Sequence, residues 1–480
     1  MASILSSVIL STSKRMLACS AQLRQSRVCI VSKTQIATSG CSIATDVSSI
    51  PGGCRLYSER PTIASSTSSP LSSTASSSPQ TMSQMIPLQT HRKFRSSNFT
   101  QQSQRAEEMK DEYGEMTDDG ETFTKNDFIL ENGVVLPKAE LRYQTYGVLN
   151  EAKDNVIVVC HALTGNASLH SWWGGLLGDN KAFDTSKYFI VCCNILGSCY
   201  GSTNPQSTNP ETNAPYGKNF PDVSVKDTVK LQLHLVKEKL GASSIKCVIG
   251  GSFGGMQTME FAVQGGIPGG EFVAANGSPF VRSVIPIACG ASHTAWQIAI
   301  SEVQRQAIYA DPEWKNDPFN ATKGLEVARQ MGMISYRTAH GYRSKFGRDI
   351  RNDDDNKSTN YGSNALWQVK SYLEYQGIKF IDRFDPITYV KMTEQMDSHD
   401  VSRGRGPSVA EVLQRVEIPA CVLGIDSDVL YPLSEQEEIV QHMPNSKLVI
   451  IRSDEGHDGF LLEQEQVNRC IVDFLAKLST

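Results

Sequence analysis

No stretch of this chain approaches the ~18 consecutive apolar residues that a membrane-spanning helix needs, so no such helix is expected. Positive charge is not in excess either. The formal net charge is -5, which gives no electrostatic case for nucleic acid or an anionic membrane surface as a partner. Cysteine is sparse for the length, at 12 of 480 residues. None of these form a CxxC pair, and Cys192-Cys193 lies inside an apolar run that reads as a buried strand. Neither a zinc site nor a disulfide framework is supported, no metal is implied, and reduced thiols in an intracellular compartment are expected.

Acidic residues are missing from the first stretch altogether, up to Thr45, while Lys14, Arg15, Arg24, Arg27 and Lys33 lie among serines and alanines. Residues 1–60 thus have the composition of an organelle transit leader. That composition does not separate mitochondrion from plastid, and the chain would be cytoplasmic if the leader were not functional. Residues 61–120 read as a disordered linker, Ser/Thr/Pro-rich at first and polar with mixed charge later.

From Glu121 onward the pattern changes to that of a folded domain. Phe128-Ile129-Leu130 and Val134-Val135-Leu136 flank Asn132-Gly133, which predicts a hairpin with a two-residue type I′ turn. Leu141 to Tyr146 alternates as the next strand. Asn155 to Cys160, Tyr188 to Cys193 and Ile245 to Ile249 are continuous apolar runs, the mark of parallel strands covered on both faces. A helix is expected over Asp227 to Leu240. Strand character returns at Ala420 to Ile425 and Lys447 to Ile451, and a last helix over Val467 to Leu478 closes the domain. Alternation of strand and helix predicts an α/β fold with a doubly wound, mostly parallel sheet. Its catalytic domain would comprise residues 121–280 and 411–480. Between them, residues 281–410 read as a mainly helical cap, with helices near Ala295 to Ala307 and Gly324 to Tyr336 and a charged loop at Asn352 to Asn356.

The stretch with the most chemical content is Gly250-Gly251-Ser252-Phe253-Gly254-Gly255. It follows an apolar strand and precedes a run of helix formers, the setting in which G-x-S-x-G lifts a nucleophilic serine out of a tight turn. Glycines on both sides keep the turn free of bulk. Such a serine needs a base, and the base needs a carboxylate. Both are expected later in the chain, acid first, in loops after strands. Asp426 and Asp428 follow one late strand, and His457 follows the other. Asp426 abuts its strand and could cap the loop; Asp428 is farther out, where reach to His457 is easier. His293, His340 and His399 fall in the proposed cap, and His442 falls near a helix end. Backbone N–H groups of Phe253 and Leu163 would form the oxyanion hole, Leu163 belonging to His161-Ala162-Leu163-Thr164-Gly165 after an early strand.

These motifs together resemble the homoserine O-acetyltransferases of the α/β-hydrolase superfamily. The resemblance rests on His161 to Gly165, Trp172-Trp173-Gly174, Ser202-Thr203-Asn204-Pro205, Asn209-Pro210-Glu211-Thr212 and the elbow through Met256. It continues in Glu302 to Ile308, Ser427-Asp428-Val429-Leu430-Tyr431-Pro432 and Gly456-His457-Asp458-Gly459-Phe460. It implies an α/β-hydrolase fold with Ser252 as nucleophile, Asp428 as acid and His457 as base. It further implies Arg329, Tyr336 and Asp458 as substrate-binding residues. Phe253 departs from the methionine common in the family. Acetyl-CoA is the implied co-substrate, L-homoserine the acceptor and methionine biosynthesis the setting. L-Serine as acceptor, a succinyl donor and a plain esterase are the alternatives. A homodimer formed through the cap is the family's implied assembly.

Overall fold

The computed structural model describes residues 120–350 and 367–478. The leader, nearly all of the linker and the loop Asn352 to Asn356 lie outside the described residues.

An eight-stranded sheet carries the fold. Its strands are β1 (Glu121–Ile129), β2 (Val135–Tyr146), β3 (Val156–Cys160), β4 (Phe189–Cys193), β5 (Ile245–Gly251), β6 (Val284–Ile287), β7 (Ala420–Ile425) and β8 (Ser446–Ile451). They lie side by side in the order β1-β2-β4-β3-β5-β6-β7-β8. The first two are antiparallel additions, and every pairing from β4 to β8 is parallel. β3 is buried along its whole length, and its side chains divide by the two-residue period of a strand. Val156, Val158 and Cys160 enter the core under α1 (Val225–His234) and α2 (Phe253–Gly266). Ile157 and Val159 enter the opposite core with Trp173, Val467, Ile471 and Phe474.

Two expectations are corrected here. The β1–β2 hairpin forms, but its turn is not the two-residue type I′. The Leu130 N–H donates to Val134 O at 2.8 Å and the Gly133 N–H to Leu130 O at 2.9 Å, leaving a three-residue loop. Of that loop only Gly133 has positive φ, at 85°. A type I turn closed by a glycine in the left-handed region fits this pattern. The helical segment also begins later than 281, because Val284–Ile287 is a buried sheet strand between β5 and β7.

After β6 the chain leaves the sheet, and among the described residues four longer helices precede its return at β7. These are α3 (Ala295–Tyr309), α4 (Thr322–Tyr336), α5 (Gln368–Ile381) and α6 (Pro386–Asp397). Thr294 and Gln297 start α3 with a reciprocal capping box. α4 crosses α3 where Gly324 comes so close that a Cβ there would lie 2.5 Å from Ile308 Cα. α5 also packs against α4. Back in the sheet, α7 (Leu433–His442) joins β7 to β8, and α8 (Gln464–Lys477) closes the chain against the second core.

The sheet also sets how near α2 can lie to β3. A Cβ on Gly254 would meet Cys160 O at 2.1 Å. Backbone on both sides leaves nothing to yield, so Gly254→Ala should destabilise the fold by about 1–3 kcal/mol. The urea midpoint should fall at unchanged m-value, and a midpoint equal to wild type would refute the packing argument.

Candidate active site

Ser252 stands between the end of β5 and the start of α2, with φ 58° and ψ -123°. A non-glycine residue rarely holds positive φ, and here the strain is fixed by packing on all sides. A Cβ on Gly250 would meet Gly254 O at 2.3 Å, and one on Gly251 would meet the Phe460 ring at 2.4 Å. The Ser252 N–H donates to Ile287 O at 3.0 Å, anchoring the turn to β6. The first N–H groups of α2 have no carbonyl acceptor within their own helix, which suits them to receive negative charge.

The loops after β7 and β8 meet at the carboxyl end of the sheet, where open α/β sheets place their ligands. Asp428 Oδ1 accepts the backbone N–H groups of Leu430 and Tyr431 at 2.8 and 2.9 Å. Its other oxygen accepts from His457 Nδ1 at 2.7 Å. That bond places the ring proton on Nδ1 and leaves the Nε2 lone pair available. His457 Nε2 is buried and has no hydrogen-bond partner among the described residues. Three rings surround the imidazole: Tyr431 at 5.1 Å, Phe460 at 5.5 Å and Tyr336 at 6.1 Å between centroids. Burial alone disfavours the charged imidazolium. The Asp428 charge and hydrogen bond, with Asp458 and Glu435 beyond them, outweigh it and raise the His457 pKa above its ordinary value.

Asp426 does not reach the histidine. It accepts the Ser453 N–H at 3.0 Å and pairs with Arg452 at 3.1 Å, holding the loop after β8.

Ser252 and His457 line one cavity of about 500 Å³ including its open mouth. Leu163, Arg329, Tyr336 and Asp458 line it too. Leu163 sits within a turn closed by the Gly165 N–H donating to Ala162 O at 3.0 Å. Behind that turn, His161 lies with one ring nitrogen 2.8 Å from Ala162 O and the other 3.1 Å from Asn194 Oδ1. Burial lowers its pKa to about 4, so it is neutral at pH 7. Arg329 is buried, with its guanidinium 4.9 Å from the Phe380 ring centroid. Burial raises the Tyr336 pKa above its ordinary value, and the Tyr389 hydroxyl donates to Gln304 at 2.7 Å.

Sequence reasoning missed two groups. Arg337 is buried and pairs with Asp458 at 2.8 Å and with Glu455. It directly follows Tyr336, so the motif contained it, but nothing local shows which way it turns. Arg383 donates to Thr164 O at 2.9 Å and to the Tyr200 hydroxyl at 2.6 Å, reaching the Leu163 turn from the helical segment. His293 and His399 are buried but line no part of this cavity, and His340 is exposed.

A larger cleft lies elsewhere, lined by Glu131, Asp222, Lys391, Glu394 and Arg403 among others. Its charges are tied to one another: Lys391 to Asp222 at 2.6 Å and Glu394 at 3.2 Å, and Arg403 to Glu131 at 2.8 Å. It holds no member of the Ser252, Asp428 and His457 set.

Known proteins agree with this architecture. A family model described as the alpha/beta hydrolase fold matches residues 155–464. The chain is 44% identical over 362 residues to a homoserine O-acetyltransferase of Salinibacter ruber, across 75% of this chain and 98% of that one. A crystal structure of homoserine O-acetyltransferase from Bacillus anthracis superposes with a TM-score of 0.65 at 24% identity, covering 74% of this chain and 96% of that one. An acetylester hydrolase from Corynebacterium glutamicum superposes with a TM-score of 0.62 at 24% identity, over 74% of this chain and 95% of that one. These two structural likenesses bear on the fold alone.

The geometry makes His457 competent as a base only when neutral. The acid limb of kcat/KM should therefore lie above the ordinary imidazole value of about 6.5. Asp428→Asn removes the charge and lets the wrong tautomer form, and should lower kcat on the order of 10⁴-fold. Steady-state rates across pH 5–9 test both; a limb unmoved by Asp428→Asn would break the assignment.

Proposed function

The chain is an enzyme of the homoserine O-acetyltransferase family, and on that footing we propose that it moves an acetyl group from acetyl-CoA to the hydroxyl of L-homoserine. The observation that carries this reading is the gathering of Ser252, His457, Arg329 and Asp458 on one cavity, with His457 bonded to Asp428 behind it.

Ser252 Oγ attacks the thioester carbonyl carbon while its proton passes to His457 Nε2. The N–H groups of Phe253 and Leu163 receive the negative charge that develops on the carbonyl oxygen. The C–S bond breaks, the departing thiolate takes the proton from His457, and an acetyl-serine ester remains. The homoserine hydroxyl then attacks that ester, giving its proton to His457. Ser252 Oγ leaves and recovers a proton from the imidazolium, releasing O-acetyl-L-homoserine. Such a product fits methionine biosynthesis.

The cavity also has groups for an amino-acid acceptor. Arg329 can read a carboxylate through paired, charge-assisted hydrogen bonds, while Asp458 can stand opposite an ammonium group. The helices over the site limit water, the competing acceptor, and hold the true acceptor at high effective molarity. A plain esterase would have no use for a buried arginine in this position.

Purified protein given acetyl-CoA with homoserine, serine or neither should acetylate homoserine fastest, with little thioester cleavage when no acceptor is present. Equal cleavage with and without acceptor would sink the transferase reading. Arg329→Lys loses the planar fork and should raise KM for homoserine by roughly 10- to 100-fold. Its effect on p-nitrophenyl acetate, which has no carboxylate to bind, should be small.

A further inference from the structure

Arg337 follows α4 directly and sits against the loop that carries His457. It pairs with Asp458 Oδ2 through Nε at 2.8 Å and with Glu455 through Nη1. Those two carboxylates lie on opposite sides of His457 in the sequence. Arg337 and Asp458 are both buried, whereas Glu455 is partly exposed. Neighbouring contacts hold the same two segments together. The Thr338 hydroxyl donates to Asp454 O at 2.5 Å. Gly456 takes φ 67°, and a Cβ there would lie 3.0 Å from Tyr336 O.

We propose that Arg337 is a positioning residue for the reaction: by gripping the carboxylates that flank His457, it seats the base and fixes Asp458 for the acceptor's ammonium group. The part concerning the acceptor rests on the transferase reading above; the part concerning the base does not.

The charge argument can be followed group by group. His457 feels Asp428 from the loop after β7, Glu435 from α7 and Asp458 from its own loop. Arg329 and Tyr336 from α4, and Ser252 from the elbow, line the cavity into which it opens. Arg337 offsets Asp458 and Glu455. Without it, Asp458 loses its counter-charge beside the imidazole, the imidazolium is favoured further, and the neutral base forms only at higher pH. A buried carboxylate without its cation is also free to turn, which loosens the acceptor's seat.

The test uses p-nitrophenyl acetate, whose p-nitrophenol release needs Ser252 and His457 but no acceptor, alongside acetyl transfer to homoserine. In Arg337→Met the acid limb of p-nitrophenol release should move up by about one pH unit. The rate at pH 6 should then fall about tenfold, while the rate at pH 9 changes little. KM for homoserine should rise more than kcat falls. Arg337→Lys keeps the charge but not the two-pronged grip. Its limb should stay in place while KM for homoserine rises about tenfold.

A rate lowered equally at every pH in Arg337→Met, with the limb unmoved, would overturn the effect on the base. If circular dichroism shows that Arg337→Met has not folded, Arg337→Lys decides: an ordinary KM for homoserine would overturn the positioning role. A shifted limb in an enzyme that transfers nothing to homoserine would sink the acceptor reading and leave the role toward His457 standing.

Discussion

The backbone at Ser252 is held in a conformation that a serine would not choose, and the remainder of the site is arranged around that constraint. Holding it requires β3, β5, β6 and α2 to approach more closely than side chains permit, which is why Gly250, Gly251, Gly254 and Gly255 all face atoms within 3 Å of where a Cβ would be. The strain, of order 1–3 kcal/mol, is sustained by the buried sheet on both sides. In return the hydroxyl is presented at the positive end of a helix. The same close approach brings Phe460 against Gly251 and so ties the histidine loop to the elbow.

Much of this was legible in the sequence because burial writes a clear pattern. Continuous β-branched runs marked the central parallel strands, and the glycines around Ser252 marked the turn. The chain order of serine, acid and histidine narrowed the base to His457. Asp428 was preferred over Asp426 for its reach and for the family resemblance, and the structure places Asp428 on the imidazole and Asp426 on the Ser453 backbone.

Other features were hidden for physical reasons. β6 escaped notice because it is four residues long and contains Pro286, which cannot donate to a ladder. The Asn132-Gly133 turn was misjudged because a distant group intervenes. The Glu131 N–H donates to Asp227 Oδ1 at 2.6 Å, drawing the loop toward the start of α1. Arg337 and Arg383 sit at or just past helix ends, where arginines are ordinarily solvated. Their partners lie far away in the chain, and a linear pattern carries no information about such pairs.

The order of the elements along the chain has a consequence for synthesis. The elbow and the strand that anchors it, β6, are encoded together, yet Asp428 and His457 follow only after the whole helical segment has been made. Domains tend to organise from the N-terminus as they emerge from the ribosome. An unfinished chain would therefore hold its nucleophile without the group that activates it. Any such intermediate would be chemically silent, and reactivity would arrive only with the loop that follows β8.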